Sequence, residues 1–516
     1  VQGGPLLASI ASEALSGLDG KPVQVEADVV AAAPAFYIVG LPDAAVQESR
    51  ERVRAAIVNS AYAFPSRRIT VNLAPADLRK EGPSFDLPIA LAFLVATGQA
   101  ADGGDGRGPL AALGELGLDG TLRSVAGALV LAESLRRRGV RGLILPAANA
   151  AEAALVDGLE VYPAHTLAEA VAQLAAGGGA AAPPADLTAL LGKPPATDAD
   201  FADIMGQEQV KRALEVAVAG AHNVLMSGPP GAGKTMLARR LPGIMPALTL
   251  DEAIEVTRIY SVAGLLPQGR ALITQRPFRA PHHTISSPGL VGGGGTPRPG
   301  EVSLAHLGVL FLDEFAEFRL SALEGLRQPL EDGEVTISRR LVSLTFPARI
   351  MLVAAMNPCP CGYLGDRERG CTCPAHRVRQ YGSRLSGPLL DRIDLRLDVP
   401  RVSPQDRRRG AHGEPSAEVR ARVAGARERQ LARLAGTGVY ANAHMSARHL
   451  RRLCPLDGDA TALLDRAYER LRLSARACDR VIKVAQTIAD LEAAPTITAA
   501  HVAESLSYRN RSQHDR

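Results

Sequence analysis

The sequence predicts an α/β multidomain protein with an α/β N-terminal domain, a doubly wound parallel sheet and a helical C-terminal domain. Residues 1–173 combine apolar strand-like runs with helical stretches rich in Ala and Leu. From residue 201 to about 400, strands alternate with helices, which is typical of a parallel sheet. After residue 400 the strand signals fade and helical periodicity dominates.

The domain boundaries follow from composition. Residues 174–200 contain GGGAAAPP and KPPATD, and small residues with prolines are typical of a linker. We therefore predict a first domain at 1–173, a core at 201–400 and an all-helical end domain at 401–516. A Cys-rich insert at 358–376 interrupts the core.

Charge is distributed unevenly along the 516 residues. The net charge is +4, yet residues 401–516 carry 21 Arg and Lys against 13 Asp and Glu. This basic end predicts an acidic partner such as nucleic acid. Because Arg outnumbers Lys by 52 to 6, an isolated arginine is weak evidence. Without a long apolar run or a signal-peptide pattern, we expect a cytoplasmic protein that does not enter a membrane.

The segment NVLMSGPPGAGKTMLARRL carries a phosphate-binding loop between a strand and a helix. Glycines let backbone N–H groups turn toward phosphates, and the helix N-terminus adds its positive dipole. A lysine supplies a mobile cation, and a threonine hydroxyl is suited to Mg²⁺. The pattern predicts ATP as ligand and assigns the loop Gly228, Pro229, Pro230, Gly231, Ala232, Gly233, Lys234 and Thr235.

Two further strands are predicted to deliver polar groups to the same site. GVLFLDEF is an apolar strand that ends in Asp313 and Glu314, and such acids are costly there unless they meet a cation or do chemistry. We expect Asp313 to hold Mg²⁺ and Glu314 to polarise the attacking water. RIMLVAAMNP ends in Asn357, placed to reach the γ-phosphate, although Asn before Pro is by itself a turn.

Arg392 and Arg476 stand near predicted helix ends, where a guanidinium can reach a phosphate. Because the chain is rich in arginine, spacing alone favours surface positions without a role for both residues.

Long motifs in the chain resemble one family. RPFRAPHHTISSPGLVGGGGTPRPGEVSLAHLGVLFLDEF and VAAMNPCPCG are similar to magnesium-chelatase-like AAA+ ATPases of the ComM (YifB) type, over essentially the whole chain. The resemblance implies an N-terminal domain like Lon protease and ribosomal-protein folds, an AAA+ core and a magnesium-chelatase C-terminal lid. It also implies that Arg392 is an arginine finger acting on a neighbouring subunit, and that Arg476 is a second sensor.

The same resemblance implies a function. Such proteins are expected to form homo-hexamers with ATP at subunit interfaces, and the family is linked to DNA branch migration during natural transformation, where other recombination proteins are candidate partners. RKEGPSFDLPIA resembles the Lon serine region at Ser84, but Leu129 stands where the catalytic lysine is expected. We therefore predict no protease activity.

Two basic segments are candidate contacts for single- or double-stranded DNA. GEVTISRRLVSLTF reads as a β-hairpin with Arg339 and Arg340 at its tip, which could bind successive phosphates without reading sequence. An ordinary solvated turn is the alternative. A flexible basic insert at 276–300 could form a second pore loop, although its histidines could instead cap helices or pack. Its candidate residues are Arg276, Arg279, His282, His283 and Arg298.

Four cysteines fall in one short stretch, Cys359, Cys361, Cys371 and Cys373. In a chain that reads as cytosolic, this clustering favours a metal over disulfides. Two tight pairs could close around one Zn²⁺, with His376 as an alternative ligand, although structural zinc sites more often space paired cysteines by two residues or more.

The leading interpretation is therefore a hexameric ATPase that drives DNA branch migration. One alternative is a magnesium-chelatase ATPase subunit, which shares the core and lid but is expected to lack the first domain and the cysteine insert. Another is a nucleotide-switched scaffold that binds DNA or protein without processive work.

Overall fold

The structure is a computed structural model that describes residues 7–103, 108–191, 199–267, 269–294, 297–338, 343–366, 369–403, 408 and 413–509. In these ranges no helix is both long and apolar enough to cross a bilayer. The chain divides into two compact units. One comprises Val1–Lys193 with Leu250–Ile273, and the other comprises Pro194–Thr249 with Thr274–Arg516.

The first unit is built on a seven-stranded mixed sheet. The two long N-terminal strands pair antiparallel, and Arg68–Ala74 also runs antiparallel to Asp19–Val30. The remaining pairs of neighbouring strands are parallel. Across the sheet the order is Ala35–Val39, Arg68–Ala74, Asp19–Val30, Leu7–Ser16, Leu110–Ala112, Gly142–Pro146 and Glu160–Ala164. A small hairpin pairs Glu115–Leu116 with Leu122–Arg123. The helices are Ala44–Asn59, Asp86–Ala96, Ala128–Arg137, Ala147–Ala153, Leu167–Ala175, Leu187–Leu191 and Leu250–Ala263, with a short turn at Pro83–Phe85.

The helix Asp86–Ala96 forms the centre of this unit. Every one of its residues is buried, as expected for a helix that is apolar on all faces. It packs on the strands Leu7–Ser16 and Asp19–Val30. At its start Arg52 Nε donates to the buried Asp86 carboxylate at 2.7 Å, so the charge taken into the core is paired. The predicted mixed α/β character of the N-terminal region is confirmed.

One helix from the middle of the sequence belongs to the first unit. Leu250–Ala263 packs along Ala128–Arg137. Ser261 Oγ donates to the buried Glu152 at 2.6 Å, and Arg258 pairs with Glu133 at 3.1 Å. The boundaries drawn from composition place this helix in the 201–400 core, because local sequence does not show which partner a helix packs against.

The second unit contains a five-stranded sheet in which all strands are parallel. Its strands are short apolar runs, as expected for strands with both faces covered. The predicted parallel sheet is therefore confirmed. Across the sheet the order is Phe278–Arg279, Val309–Leu312, Met351–Met356, Val224–Ser227 and Leu395–Asp398.

Helices surround this sheet and continue to the C-terminal end of the described residues. Those within the sheet region are Glu208–Gly220, Lys234–Ile244, Ser287–Val291, Glu301–Leu304, Leu320–Gly325, Arg327–Asp332, Ala375–Gly382 and Gly387–Leu390. The C-terminal helices are Ser416–Leu434, Ala447–Leu453, Gly458–Leu471, Ala475–Leu491 and Ala499–Ser507. Short turns lie at Phe201–Asp203, Phe315–Glu317 and Asn442–His444, and two small hairpins pair Gly292–Gly293 with Arg298–Pro299 and Glu334–Ser338 with Ser343–Pro347.

A buried carboxylate joins the C-terminal helices to the sheet. Asp394 accepts from Arg480 at 3.0 Å and from the Asn223 N–H at 3.0 Å, and His222 Nδ1 lies 3.6 Å away. Burial alone would raise the pKa of Asp394, but His222 and Arg480 outweigh it and hold that pKa well below its usual range. The ionised carboxylate therefore fixes the helix Ala475–Leu491 to the sheet.

Candidate functional site

The phosphate loop joins the strand Val224–Ser227 to the helix Lys234–Ile244. Gly231 and Gly233 have φ values of 77° and 88°, which glycine adopts without strain. Gly228 lies against a backbone carbonyl with which an added Cβ would collide. The helix begins without a side-chain cap, so its first N–H groups point to a site suited to an anion.

Lys234 is buried and extends back across the loop. Its Nζ donates to the carbonyl oxygens of Gly228 at 2.6 Å and Pro229 at 3.1 Å, and to Asn357 Oδ1 at 3.2 Å. Burial lowers the pKa of Lys234, and the nearby Asp313 opposes that shift. The structure thus brings the loop lysine and Asn357 together, although they are far apart in sequence.

The acidic pair lies beside the start of the same helix. The strand Val309–Leu312 is entirely buried and ends at Asp313, whose Oδ2 accepts from Thr235 Oγ1 at 2.6 Å. Its Oδ1 accepts from the Glu314 N–H at 2.9 Å. A hydroxyl and a carboxylate side by side offer the hard oxygen ligands that Mg²⁺ prefers. Thr235 and Asp313 therefore fit the predicted magnesium site.

Glu314 has a partner that the sequence did not reveal. Its backbone is left-handed, with φ 53°, and its Oε2 lies 3.0 Å from His283 Nδ1. The His283 ring packs against His282, with centroids 4.1 Å apart, and meets the edge of Phe318. Only the pairing of neighbouring strands brings these segments together, so no local pattern could have predicted the contact.

Gln207 is a second residue that sequence reasoning missed. Its Nε2 donates to the carbonyl oxygens of Ala232 at 2.9 Å and Pro400 at 2.7 Å. It thereby links the phosphate loop to the chain that follows the strand Leu395–Asp398. The only signal in the sequence is a polar residue directly before an amphipathic helix, which marks a helix start but not a loop contact.

Arg392 and Arg476 meet at Glu331. Arg392 forms an ion pair with the Glu331 carboxylate, and its Nε and NH1 donate to the carbonyl oxygens of Arg327 and Pro388. Arg476 lies 3.8 Å from the other Glu331 oxygen, with its side chain 71% exposed. The structure thus brings the two predicted arginines together, and these contacts do not involve the phosphate loop.

The basic insert is largely folded into the second unit. Arg276 donates to the carbonyl oxygens of Pro246, Ala247 and Leu307. Arg279 makes a two-point ion pair with Glu301, at 2.6 and 2.7 Å. These contacts give both arginines a structural role, and their contact with DNA stays a prediction.

The histidines of the insert differ in exposure, and Arg298 lies at the surface. His282 is exposed and contacts Thr284, whereas His283 packs toward Glu314, in line with the alternative of packing histidines. Arg298 is exposed on the hairpin strand Arg298–Pro299. DNA binding by His282, His283 and Arg298 also stays a prediction.

The predicted basic hairpin is present as two antiparallel strands. Glu334–Ser338 pairs with Ser343–Pro347, from Glu334 opposite Pro347 to Ser338 opposite Ser343. This confirms the hairpin expected from alternating residues. Arg339 and Arg340 lie outside the described residues.

The four clustered cysteines converge on one point. The sulfurs of Cys359, Cys361 and Cys371 lie 3.4 to 3.6 Å apart, and with Cys373 all four lie within 4.8 Å of one another. A tetrahedron with Zn–S bonds of about 2.3 Å places its sulfurs roughly 3.8 Å apart. The donor set therefore fits one Zn²⁺ ion, and among the described residues His376 is exposed and outside this group.

The thiols of the cluster differ in pKa. Against a hydrogen bond from the Cys373 N–H, burial and the neighbouring Cys359 and Cys361 thiols raise the pKa of Cys371, and burial raises that of Cys373. The pKa of Cys361 is lowered, and the largest cause is a hydrogen bond from the Tyr363 backbone N–H. Thiolates are the form of cysteine that binds Zn²⁺.

Three family models match the chain. The model described as "Magnesium chelatase, subunit ChlI" matches residues 200–407, "Subunit ChlI of Mg-chelatase" matches 25–149, and "Magnesium chelatase, subunit ChlI C-terminal" matches 413–509. The first covers the parallel sheet of the second unit together with Leu250–Ile273 of the first unit, and the third covers the helical end of the second unit.

Relatives match over nearly the full length. The chain is 46% identical over 505 residues to "Uncharacterized protein Rv2897c" of Mycobacterium tuberculosis, covering 96% of this chain and 97% of that protein. It is 44% identical to "Competence protein ComM" of Haemophilus influenzae over 515 residues, covering 98% and 97%. "Uncharacterized protein YifB" of Salmonella typhimurium is 44% identical over 505 residues, with 98% and 97% covered.

The chain belongs to the magnesium-chelatase-like ComM/YifB family. Membership confirms the resemblance drawn from the motifs and is consistent with the AAA+-like arrangement of the parallel sheet. It indicates ATPase activity of the ComM/YifB type, with ATP and Mg²⁺ as cofactors.

Proposed function

We propose that this ComM/YifB-family chain is the subunit of a hexameric, ATP-dependent DNA motor that promotes branch migration during homologous recombination in natural transformation. The observation that carries the proposal is the gathering of Lys234, Asn357, Thr235, Asp313 and Glu314 around one loop. The likeness to a competence protein supports the biological setting.

ATP hydrolysis is divided among the residues of this site. On binding ATP, Lys234 exchanges its carbonyl partners for phosphate oxygens, which are stronger acceptors because they are charged. Thr235 and Asp313 would hold Mg²⁺, which when bound would neutralise negative charge on the phosphates. Glu314 orients the attacking water and accepts its proton, and Asn357 donates its amide N–H to the γ-phosphate.

Completion of the site requires a neighbouring subunit. Arg392 and Arg476 gather on Glu331, and their contacts are separate from those of Lys234. An arginine finger stabilises charge on the transferred phosphoryl group and is supplied by a neighbour in many such ATPases. In the proposed hexamer Arg392 acts on the ATP of the adjacent subunit, and Arg476 serves as the second sensor.

Sequence-independent DNA binding is assigned to basic side chains. Arg339 and Arg340 follow the strand Glu334–Ser338, and the exposed Arg298 belongs to a neighbouring insert. Contacts to phosphates position DNA without reading bases, which suits a motor that must move along any sequence, single-stranded or double-stranded.

We further propose that the four-cysteine cluster binds one structural Zn²⁺ ion. The sulfur separations support this, because the sulfurs of Cys359, Cys361 and Cys371 are separated by distances close to the S–S distance in a tetrahedral zinc site. For the N-terminal domain we propose a Lon-like fold, on the likeness of the segment around Ser84.

A magnesium-chelatase ATPase subunit is the second candidate, favoured by the descriptions of the family models. The expectation that such a subunit lacks the first domain loses force, because the model matching residues 25–149 carries a chelatase description as well. The cysteine insert and the near-complete coverage of ComM favour the DNA motor.

The experiment that separates the DNA motor from a chelatase subunit or a nucleotide-switched scaffold uses purified protein and a three-strand DNA junction. A motor migrates the junction with ATP and Mg²⁺, and its Glu314→Gln variant loses migration together with hydrolysis. A scaffold binds DNA equally well in both forms and never moves the junction. Normal ATP hydrolysis by the wild type without migration would overturn the proposed function.

A further inference from the structure

The cysteine cluster begins two residues after Asn357. Asn357 follows the buried strand Met351–Met356 and accepts a hydrogen bond from Lys234 Nζ at 3.2 Å. Cys359 is fully buried, and its carbonyl oxygen accepts from the Gly362 N–H at 2.9 Å. A tight turn over Cys359–Gly362 therefore continues directly from the residue proposed to face the γ-phosphate.

This turn packs on the phosphate loop itself. A Cβ built on Gly362 would lie 2.5 Å from Pro230 Cδ and 2.7 Å from its Cγ, with Asn357 Cγ 3.7 Å away. Gly362 also has a φ of 85°, which side-chain-bearing residues rarely adopt. Glycine is thus required at this position for two reasons, the positive φ and the close contact between the turn and the Pro230 ring.

The far side of the segment is anchored near the same loop. Asp366 pairs with Arg401 Nε at 3.2 Å, and the guanidinium groups of Arg369 and Arg401 lie 4.2 and 5.5 Å from the centre of the Tyr363 ring. Arg401 follows Pro400, whose carbonyl oxygen shares the Gln207 amide with the phosphate loop. The segment therefore packs directly on the phosphate loop through Gly362, and it is joined to that loop indirectly through Arg401, Pro400 and Gln207.

Regular secondary structure does not hold this segment. Among its described residues, those from 357 to 374 form no helix or strand. The four sulfurs tie the turn, through Cys359 and Cys361, to the returning chain at Cys371 and Cys373. In such loops a tetrahedral metal supplies the fixed geometry that hydrogen-bonded elements supply elsewhere.

We propose that Zn²⁺ on these four cysteines positions the nucleotide site, by holding the turn Cys359–Gly362 against Pro230 and fixing Asn357 for the γ-phosphate. The cluster is a positioning element and does not touch the substrate. The inference rests on the proposed ATPase function and adds a metal requirement to ATP binding. Loss of the metal frees the turn, so that Pro230 and Asn357 are no longer held in place by it.

The test uses the full chain and measures zinc content and the affinity for a non-hydrolysable ATP analogue. The double variant Cys371→Ser with Cys373→Ser loses its zinc and binds the analogue about tenfold more weakly, the lower range of effects seen when metal-site support is removed. Gly362→Ala keeps its zinc but shows a similar loss of affinity, because its Cβ displaces Pro230. Gly370→Ala, in the same segment with nothing within 4 Å of its added Cβ, retains both zinc and affinity.

Three results would overturn the inference. These are a wild type without zinc, a zinc-free cysteine variant with unchanged affinity, and a Gly362→Ala variant that binds like Gly370→Ala. If the cysteine variant does not fold, zinc is removed from the wild type with a chelator, and unchanged affinity of the folded zinc-free protein overturns the inference. Failure of the proposed function is recognised separately, because it appears in the DNA-junction assay and not in the zinc content or in the affinity for the analogue.

Discussion

His283 Nδ1 lies 3.0 Å from Oε2 of Glu314, so the basic insert reaches the residue proposed to polarise the attacking water. The Glu314 side chain is otherwise 56% exposed and stands on a left-handed backbone. His283 is thus the contact that fixes the direction of this carboxylate. A general base is more effective when a third group orients it.

Replacement of His283 by Ala is expected to lower kcat for ATP about tenfold, a modest part of the effect ascribed to proton transfer by a positioned side chain. ATP affinity is expected to stay unchanged, because His283 contacts Glu314 and not the phosphate loop. Steady-state kinetics with His282→Ala as the matched control checks this. A kcat of His283→Ala equal to that of the wild type would show that Glu314 needs no orienting partner.

Glu314→Gln is expected to bind ATP and Mg²⁺ normally and to hydrolyse ATP at least about 100-fold more slowly, because an amide cannot accept the proton of the attacking water. Nucleotide retained on the protein after gel filtration would be ATP. The control is Glu317→Gln, an exposed acid paired with Arg384, which should turn over normally. Rapid hydrolysis by the Glu314 variant would assign the base elsewhere.

Mixing two inactive variants tests whether Arg392 acts between subunits. Arg392→Ala lacks the finger but keeps the residues around Lys234, whereas Glu314→Gln keeps the finger. Mixed rings should regain part of the ATPase activity at the interfaces where an intact site meets an intact finger. No recovery in rings shown to contain both chains would restrict Arg392 to its contacts with Glu331.

The combined change of Arg339 and Arg340 to Ala is expected to weaken DNA binding equally for unrelated sequences. The slope of log affinity against log salt should become shallower by about 0.9 for each duplex phosphate that the variant no longer neutralises. Fluorescence anisotropy across a salt series measures both effects. Arg50→Ala, an exposed arginine of the first unit, is the control, and an unchanged slope would move the DNA-binding site to another basic surface.

The buried carboxylate of Asp394 predicts a pH-dependent stability. The pKa of Asp394 in the folded protein lies below its value in the unfolded chain. Its contribution to the free energy of unfolding is therefore fully present above about pH 4 and declines as the pH falls further. Asp394→Asn should destabilise by about 3 kcal/mol at pH 7, because Arg480 loses its buried counter-ion. The gap in denaturation midpoint between wild type and variant should narrow in acid, whereas Asp391→Asn, at an exposed position, should show no gap.

The core of the candidate site could be predicted because its residues lie in short motifs attached to strand ends. Lys234, Thr235, Asp313 and Asn357 each follow or adjoin a buried apolar strand, and parallel strands bring their carboxyl ends to the same edge. The contacts among them confirm that expectation.

The contact partners of Arg392, Arg476 and Glu314 could not be predicted in the same way. Glu331 joins Arg392 to Arg476, and His283 joins the insert to Glu314, through contacts between segments distant in sequence. Their residue types carry no signal, because a glutamate beside a helix end is ordinary. The same reason explains Leu250–Ala263, whose apolar face does not reveal which unit it covers.

That helix has a practical consequence for dissecting the protein. A chain shortened to begin at residue 199 would still encode Leu250–Ala263, but without Ala128–Arg137, Glu133 and Glu152, against which it is buried. The helix would lose its packing on Ala128–Arg137, the Arg258–Glu133 ion pair and the Ser261–Glu152 hydrogen bond, and surface exposed in this way is prone to non-specific association. The N-terminal region therefore cannot be removed without affecting Leu250–Ala263. Loss of activity on truncation would not by itself show that the N-terminal region has a function of its own, because the truncation also removes the packing partner of this helix.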